Sequence, residues 1–142
     1  MRALGLDLGT RTLGISMSDN TETIATAVTT IRFEEGQYTS LLPQIEKLIQ
    51  EYPIGYMVLG FPKNMNNSIG ERGETTLEFK EMLSEYCKIP VFLQDERLST
   101  VEATHYLIEA DMSRKKRKKK VDSIAANIIL QTYLDKKKGI EL

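Results

Sequence analysis

The hydrophobic period of this chain first changes near residue 37, and that change narrows the choice of folds more than any other feature. Before it, "RALGLDLG" (2–9) carries Leu4, Leu6 and Leu8 at alternate positions. "TLGISMSD" (12–19) follows and ends in a turn at Asp19-Asn20, and "TIATAVTTIR" (23–32) is rich in Thr, Ile and Val. Alternation and β-branched content mark strands, and connections this short predict an antiparallel meander of three. After the change, Leu41, Ile45, Leu48, Ile49 and Tyr52 of "YTSLLPQIEKLIQEY" (38–52) fall on one helical face.

The rest alternates. "GYMVLGF" (55–61) is a near-continuous apolar run, as expected of a strand buried on both sides. The polar stretch "PKNMNNSIGERG" (62–73) leads to a helix from about Glu74 to Tyr86, and "IPVFLQ" (89–94) is a fifth strand. "STVEATHYLIEA" (99–110) opens on Ser99 with Glu102 three residues on, a capping-box pattern. Seven consecutive basic residues, Arg114 to Lys120, then lead as a loop into a last helix from about Asp122 to Leu134. Three strands followed by alternating helices and strands predict an α/β domain: a five-stranded mixed sheet with helices on both faces. No repeat and no second domain is visible, so the expectation is one domain over residues 1–142.

Composition excludes several classes. No apolar run approaches the ~20 residues that span a bilayer, and "MRALGLDLGT" lacks the apolar stretch of a secretory signal. A single cysteine, Cys87, rules out an internal disulfide, and with a lone histidine, His105, there is no Cys/His metal cluster. His105 has no special role in this reading. A cytoplasmic location is expected. The net charge of −1 conceals an asymmetry: residues 1–113 hold 9 Lys and Arg against 17 Asp and Glu, whereas residues 114–142 hold 10 against 3. Concentrated positive charge is the footprint of a phosphate-binding surface.

Three carboxylate positions could carry chemistry. Asp7 lies within an apolar strand, on the opposite face from Leu4, Leu6 and Leu8 and alongside Gly5 and Gly9. It is either a turn-initiating residue bonded to the Gly9-Thr10 backbone or a carboxylate held for a cation. Asp95 and Glu96 end the fifth strand. They sit where open α/β sheets gather sites, or serve the following helix N-terminus electrostatically. Asp122 shares a helical face with Ala125, Ala126, Ile129 and Tyr133, but Asp is also a good N-cap. Carboxylates from separate elements meeting on one side of a sheet can hold Mg²⁺ or Mn²⁺, and such ions flanking a phosphodiester activate water and stabilise the leaving oxygen.

"GLDLGTRTLGIS", "GFPKNMNNSIGERG", "DERLST" and "KVDSIAANIIL" together resemble the YqgF/RuvX family over nearly the whole chain and in order. Its members are described either as nucleases of precursor 16S ribosomal RNA or as Holliday junction resolvases. The resemblance implies a ribonuclease H-like fold, the same element order as read above, and a metal-dependent nuclease acting in ribosome biogenesis or DNA recombination. It implies Asp7 on the central first strand and Asp122 opening the last helix beside it. Glu96 or Asp95 would complete a Mg²⁺ or Mn²⁺ site, with Glu96 favoured. "YMVLGF" lacks the acid that many such nucleases carry near its end. Structured RNA or branched DNA would be the partner of a monomer or homodimer. Arg11, Lys63, Asn64, Arg72, Arg97 and the run Arg114, Lys115, Lys116, Arg117, Lys118 would contact phosphate or sugar; Asn67 is a further candidate. A solvated loop is the competing reading for residues 62–73.

Two other function classes stay in view. "DLGTRTLG" also looks like the first phosphate loop of the sugar kinase, actin and Hsp70 superfamily, but those proteins enclose ATP between two such domains and this chain has room for one. A non-catalytic RNA-binding assembly factor would not need three acidic positions.

Overall fold

The computed structural model describes residues 1–62, 70–95 and 114–137, with side chains in the last helix from Ser123 on. Five strands, β1 (Arg2–Leu8), β2 (Thr12–Ser18), β3 (Ala25–Arg32), β4 (Ile54–Phe61) and β5 (Val91–Asp95), form one sheet in the order β3-β2-β1-β4-β5. β1, β2 and β3 pair antiparallel, as their tight connections require, while β4 and β5 add parallel to β1. The helices among the described residues are α1 (Leu42–Glu51), entered through a 3₁₀ turn at Tyr38–Leu41, α2 (Glu71–Cys87) and α3 (Arg114–Lys137). The helix expected over 99–110 lies outside the described residues.

The alternation of β1 separates two cores. Leu4, Leu6 and Leu8 join Leu13, Ile15, Met57 and Leu59 beneath α1 and α2, which contribute Leu42, Ile45, Phe79 and Leu83. On the other face Ala3, Ala25, Tyr56 and Val58 meet Ile129, Leu130 and Leu134 of α3. β4 is buried along nearly its whole length, as its unbroken apolar run predicts.

Two helices start earlier than the sequence suggests. α2 begins at Glu71, three residues before the expected start, because Gly73 lies on its buried stripe with Thr76, Phe79 and Leu83 and acts as a packing residue. Leu77 and Tyr86 are consequently exposed. α3 begins at Arg114, so the basic run is helix rather than loop, and Asp122 is an interior residue rather than an N-cap. Lys and Arg are good helix formers, and that propensity extends a helix whose C-terminal half is anchored on the sheet. Its far end is latched. Glu22 accepts a hydrogen bond from the Tyr56 hydroxyl at 2.6 Å and pairs with Lys137 Nζ at 2.9 Å. The Tyr56 hydroxyl, then Lys137, hold the Glu22 carboxyl below its usual range, and burial with the Glu22 bond pushes the Tyr56 phenol up.

Candidate active site at the carboxyl end of the first strand

Gly5 fixes how α3 lies on the sheet. A Cβ at Gly5 would meet Ser16 Oγ at 2.3 Å, Leu130 Cβ at 2.7 Å and the Ala126 carbonyl oxygen at 3.0 Å. Only a residue without a side chain permits that approach. Ser16, paired with Gly5 across the β1–β2 ladder, donates from Oγ to the Ala126 carbonyl at 2.8 Å. Further along α3, Gln131 receives the Ala25 amide at 2.9 Å, and Lys137 reaches Glu22 beside Tyr56, which pairs with Ala3. Later helix residues therefore meet the start of β1, and α3 runs antiparallel to it.

That direction sets the levels of two candidate residues. Asp7 lies two residues beyond Gly5, about 6.6 Å toward the carboxyl end of β1. Position 122 lies four residues before Ala126, about 6 Å in the same direction and on the same helical face. Asp7 is 7% exposed. It pairs with Gly14, and alternation puts it on the α3 face with Ala3 and Gly5. The basic run continues one to two turns beyond position 122, still toward the carboxyl end of the sheet.

Continuing the pairings Leu6 to Leu59 and Gly60 to Gln94 brings Gln94 level with Asp7, two strands away. Gln94 is 7% exposed. It belongs to the Asp7 face, because Phe92, two residues earlier, stacks on Tyr133 of α3 with ring centroids 5.8 Å apart. Sequence reading overlooked it: a Gln before two acids carries no signal until the register is known. Asp95 ends β5 as expected. It shares the parity of Leu93, which packs under α1 and α2, so alternation assigns it to the face opposite Asp7.

Arg11 stands in the β1–β2 connection with its side chain 75% exposed, 3.5 Å from the Glu35 carboxylate. An exposed pair of this kind contributes little stability and leaves the guanidinium at the surface near the end of β1. Arg72, on the first turn of α2, donates from Nη2 to the Leu8 carbonyl at 3.1 Å. A cleft of about 280 Å³ beside it is lined by Gly9, Thr10, Glu35, Tyr38, Arg72 and Thr76, on the α2 side of β1. Lys63, Asn64, Asn67, Glu96 and Arg97 lie outside the described residues. For Arg114, Lys115, Lys116, Arg117, Lys118 and Asp122 the backbone is described and is helical. Among the described residues no three His, Cys, Asp or Glu side chains come together as a metal cluster, and no helix is long and apolar enough to cross a membrane.

Known proteins resemble this chain in sequence and in fold. A protein from Caldanaerobacter subterraneus subsp. tengcongensis is 49% identical over 140 residues, 98% of this chain and 99% of its own. One from Bacillus subtilis is 49% identical over 135 residues, 95% and 98% of the two chains. Both bear the name "Putative pre-16S rRNA nuclease". Among solved structures, Thermus thermophilus RuvC matches with a TM-score of 0.58 at 10% identity, over 98% of this chain and 97% of that one. The Fowlpox virus resolvase, solved with substrate Holliday junction DNA, matches with a TM-score of 0.59 at 12% identity, over 96% and 98%. At those identities the likeness is one of fold, and the fold is ribonuclease H-like, as the resemblance to the family implied. The family model described as "RuvX: Holliday junction resolvase" matches residues 1–136, and with relatives near half identity along almost its full length, this chain belongs to the RuvX family.

Proposed function

We propose that the chain is a metal-dependent phosphodiesterase, a single nuclease domain over residues 1–142, that processes the 5′ end of precursor 16S ribosomal RNA in the cytoplasm. The observation that carries this reading is the antiparallel docking of α3 on Gly5, from which the matching levels of positions 7 and 122 follow. The name borne by relatives at 49% identity supports the substrate class.

Asp7, Asp122 and Glu96 would hold Mg²⁺ or Mn²⁺. The fit rests on chemistry and register: all three are hard oxygen donors, and Asp7 is a buried carboxylate on a strand whose neighbour on that face is a glycine. The parity of Asp95 favours Glu96 over it as the third ligand. A divalent cation held there would supply Lewis-acid activation of water and stabilisation of the leaving oxygen of a phosphodiester. The chain's own residues do the rest. Asp7 offers its carboxylate from the most central strand, where packing on both faces fixes the backbone. Arg114, Lys115, Lys116, Arg117 and Lys118 would hold the phosphate backbone from the start of the helix that bears Asp122. Arg11, Lys63, Asn64 and Arg97 would add contacts around the same edge; Arg72, expected from the sequence to join them, has its guanidinium bonded to the Leu8 carbonyl instead. Shape rather than base sequence would select the substrate, because phosphate contacts carry no sequence information directly.

Holliday junction resolution is the second reading, favoured by the description of the matching family model. It would call for two sites, hence a homodimer, where RNA processing is open to a monomer. The deciding experiment is cleavage of a precursor 16S fragment and of a four-way DNA junction side by side, with Mg²⁺ or Mn²⁺ and with Asp7→Asn as control. Cleavage of the RNA alone is expected. Cleavage of the junction alone would replace the first reading with the second.

A further inference from the structure

Gly9 donates its amide to the Thr12 carbonyl at 2.8 Å, which makes Gly9 and Thr12 a hydrogen-bonded pair of the β1–β2 ladder. Pairs alternate along an antiparallel ladder, so the amide and carbonyl of Leu8, paired with Leu13, point away from β2 and toward β4. The parallel pairing of β1 with β4 runs from Arg2 to Leu6 and its last pair is Leu6 with Leu59. The Leu8 carbonyl thus faces the neighbouring strand beyond the end of the ladder. Arg72 Nη2 meets it at 3.1 Å, taking the place of a strand amide. The guanidinium reaches it from the first turn of α2, whose position is fixed by burial of Gly73, Thr76 and Phe79.

We propose that Arg72 is a positioning residue for Asp7: by holding the Leu8 carbonyl it fixes the last peptide of β1, and with it the direction of the Asp7 carboxylate one residue earlier. The inference rests on the nuclease reading of Asp7. Arg72 acts through the backbone from the α2 side of the sheet, whereas Asp7 faces α3. Loss of the clamp would free the Leu8–Gly9 peptide, and the Asp7 carboxylate would sample directions in which it no longer shares a ligand with Asp122.

The test compares Arg72→Ala and Arg72→Lys with the parent. Amide hydrogen exchange at Gly9 and cleavage rates are both measured, together with the salt dependence of RNA binding. In Arg72→Ala the Gly9 amide is expected to exchange at least tenfold faster, kcat to fall tenfold or more, and KM and the salt slope to stay within twofold of the parent. Arg72→Lys, which keeps the charge, a donor and most of the side chain's length, should recover part of kcat and of the exchange protection. Unchanged exchange at Gly9 in both variants would overturn the clamp. Faster exchange with parental kcat would overturn the link to Asp7. A parental kcat with a salt slope reduced by about one, the signature of a lost phosphate contact, would make Arg72 a nucleic-acid ligand instead. Faster exchange in a chain whose parent cleaves neither substrate would support the clamp and overturn the nuclease reading.

Discussion

Gly5→Ala is the most informative single substitution, because it adds one methyl group at the point where α3 lies on β1. The new Cβ would sit 2.3 Å from Ser16 Oγ and 2.7 Å from Leu130 Cβ. The Ser16 hydroxyl can rotate away, but it then gives up its bond to the Ala126 carbonyl, a loss of about 0.5–1.5 kcal/mol. Leu130 Cβ is fixed to the helix backbone and cannot rotate away. Restoring an ordinary carbon–carbon separation of about 3.5–4.0 Å moves α3 outward by about 1 Å. Overpacking of this kind costs about 1–3 kcal/mol, partly offset by about 0.4–1 kcal/mol from the stiffer unfolded chain. The expected net loss is about 2 kcal/mol, read as a lower urea midpoint at constant slope. A 1 Å misplacement of catalytic groups can cost about 10²-fold in rate, so cleavage should fall further than stability implies, at a temperature where the variant is fully folded. Ser16→Ala is the control: it loses the same hydrogen bond without moving the helix, and should cost about 1 kcal/mol with near-parental cleavage. A Gly5→Ala variant as stable and as active as the parent would refute the docking of α3 and the level assigned to Asp122.

Two further outcomes are expected. Replacing Lys115, Lys116 and Lys118 by Gln should weaken RNA binding at low salt and flatten the plot of log affinity against log salt by about two, since each neutralised phosphate of a single strand contributes about 0.7; an unchanged slope would move the phosphate grip elsewhere. Asp19 accepts bonds from the Thr21 hydroxyl and the Thr23 and Ile24 amides, which together hold its carboxyl down at about 2 from 3.8. A lowered folded-state pKa stabilises above the unfolded value and is lost as pH falls through the folded one. The stability difference between the parent and Asp19→Ala should therefore be constant above about pH 5 and shrink toward about pH 2, in urea titrations across that range; a difference independent of pH would show that the turn does not depend on the charge.

How much of this was legible beforehand follows from the range of each signal. Leu4, Leu6 and Leu8 announced their face, and with it the opposite face for Asp7, because a strand period of two is local and absolute. The spacing of Asp122 from Ala125, Ala126 and Ile129 is equally local, and the backbone over Arg114–Lys137 is helical. The competing N-cap reading falls, because the helix begins at Arg114. Seven like charges look like solvated loop, yet Lys and Arg favour helix, and what decides is the anchoring of residues 125–134 on a distant strand. Gly73 misled in the same way: a glycine in sequence suggests a break, whereas here it is the close-packed first turn of α2. Arg72, Gln94 and the latch of Glu22, Tyr56 and Lys137 depend on register between elements far apart in the chain. No local pattern encodes them.

On the proposed reading, Asp7 and Asp122 together hold one divalent cation between β1 and α3. Titration of the purified protein with Mn²⁺, followed by calorimetry, tests it most directly when the parent is compared with Asp7→Asn, Asp122→Asn and the double variant. Either single substitution should weaken Mn²⁺ binding at least tenfold, and the double variant should lose little more than the single ones, because groups that share one ion are non-additive. Parental Mn²⁺ affinity in both single variants, or losses that add independently, would contradict it.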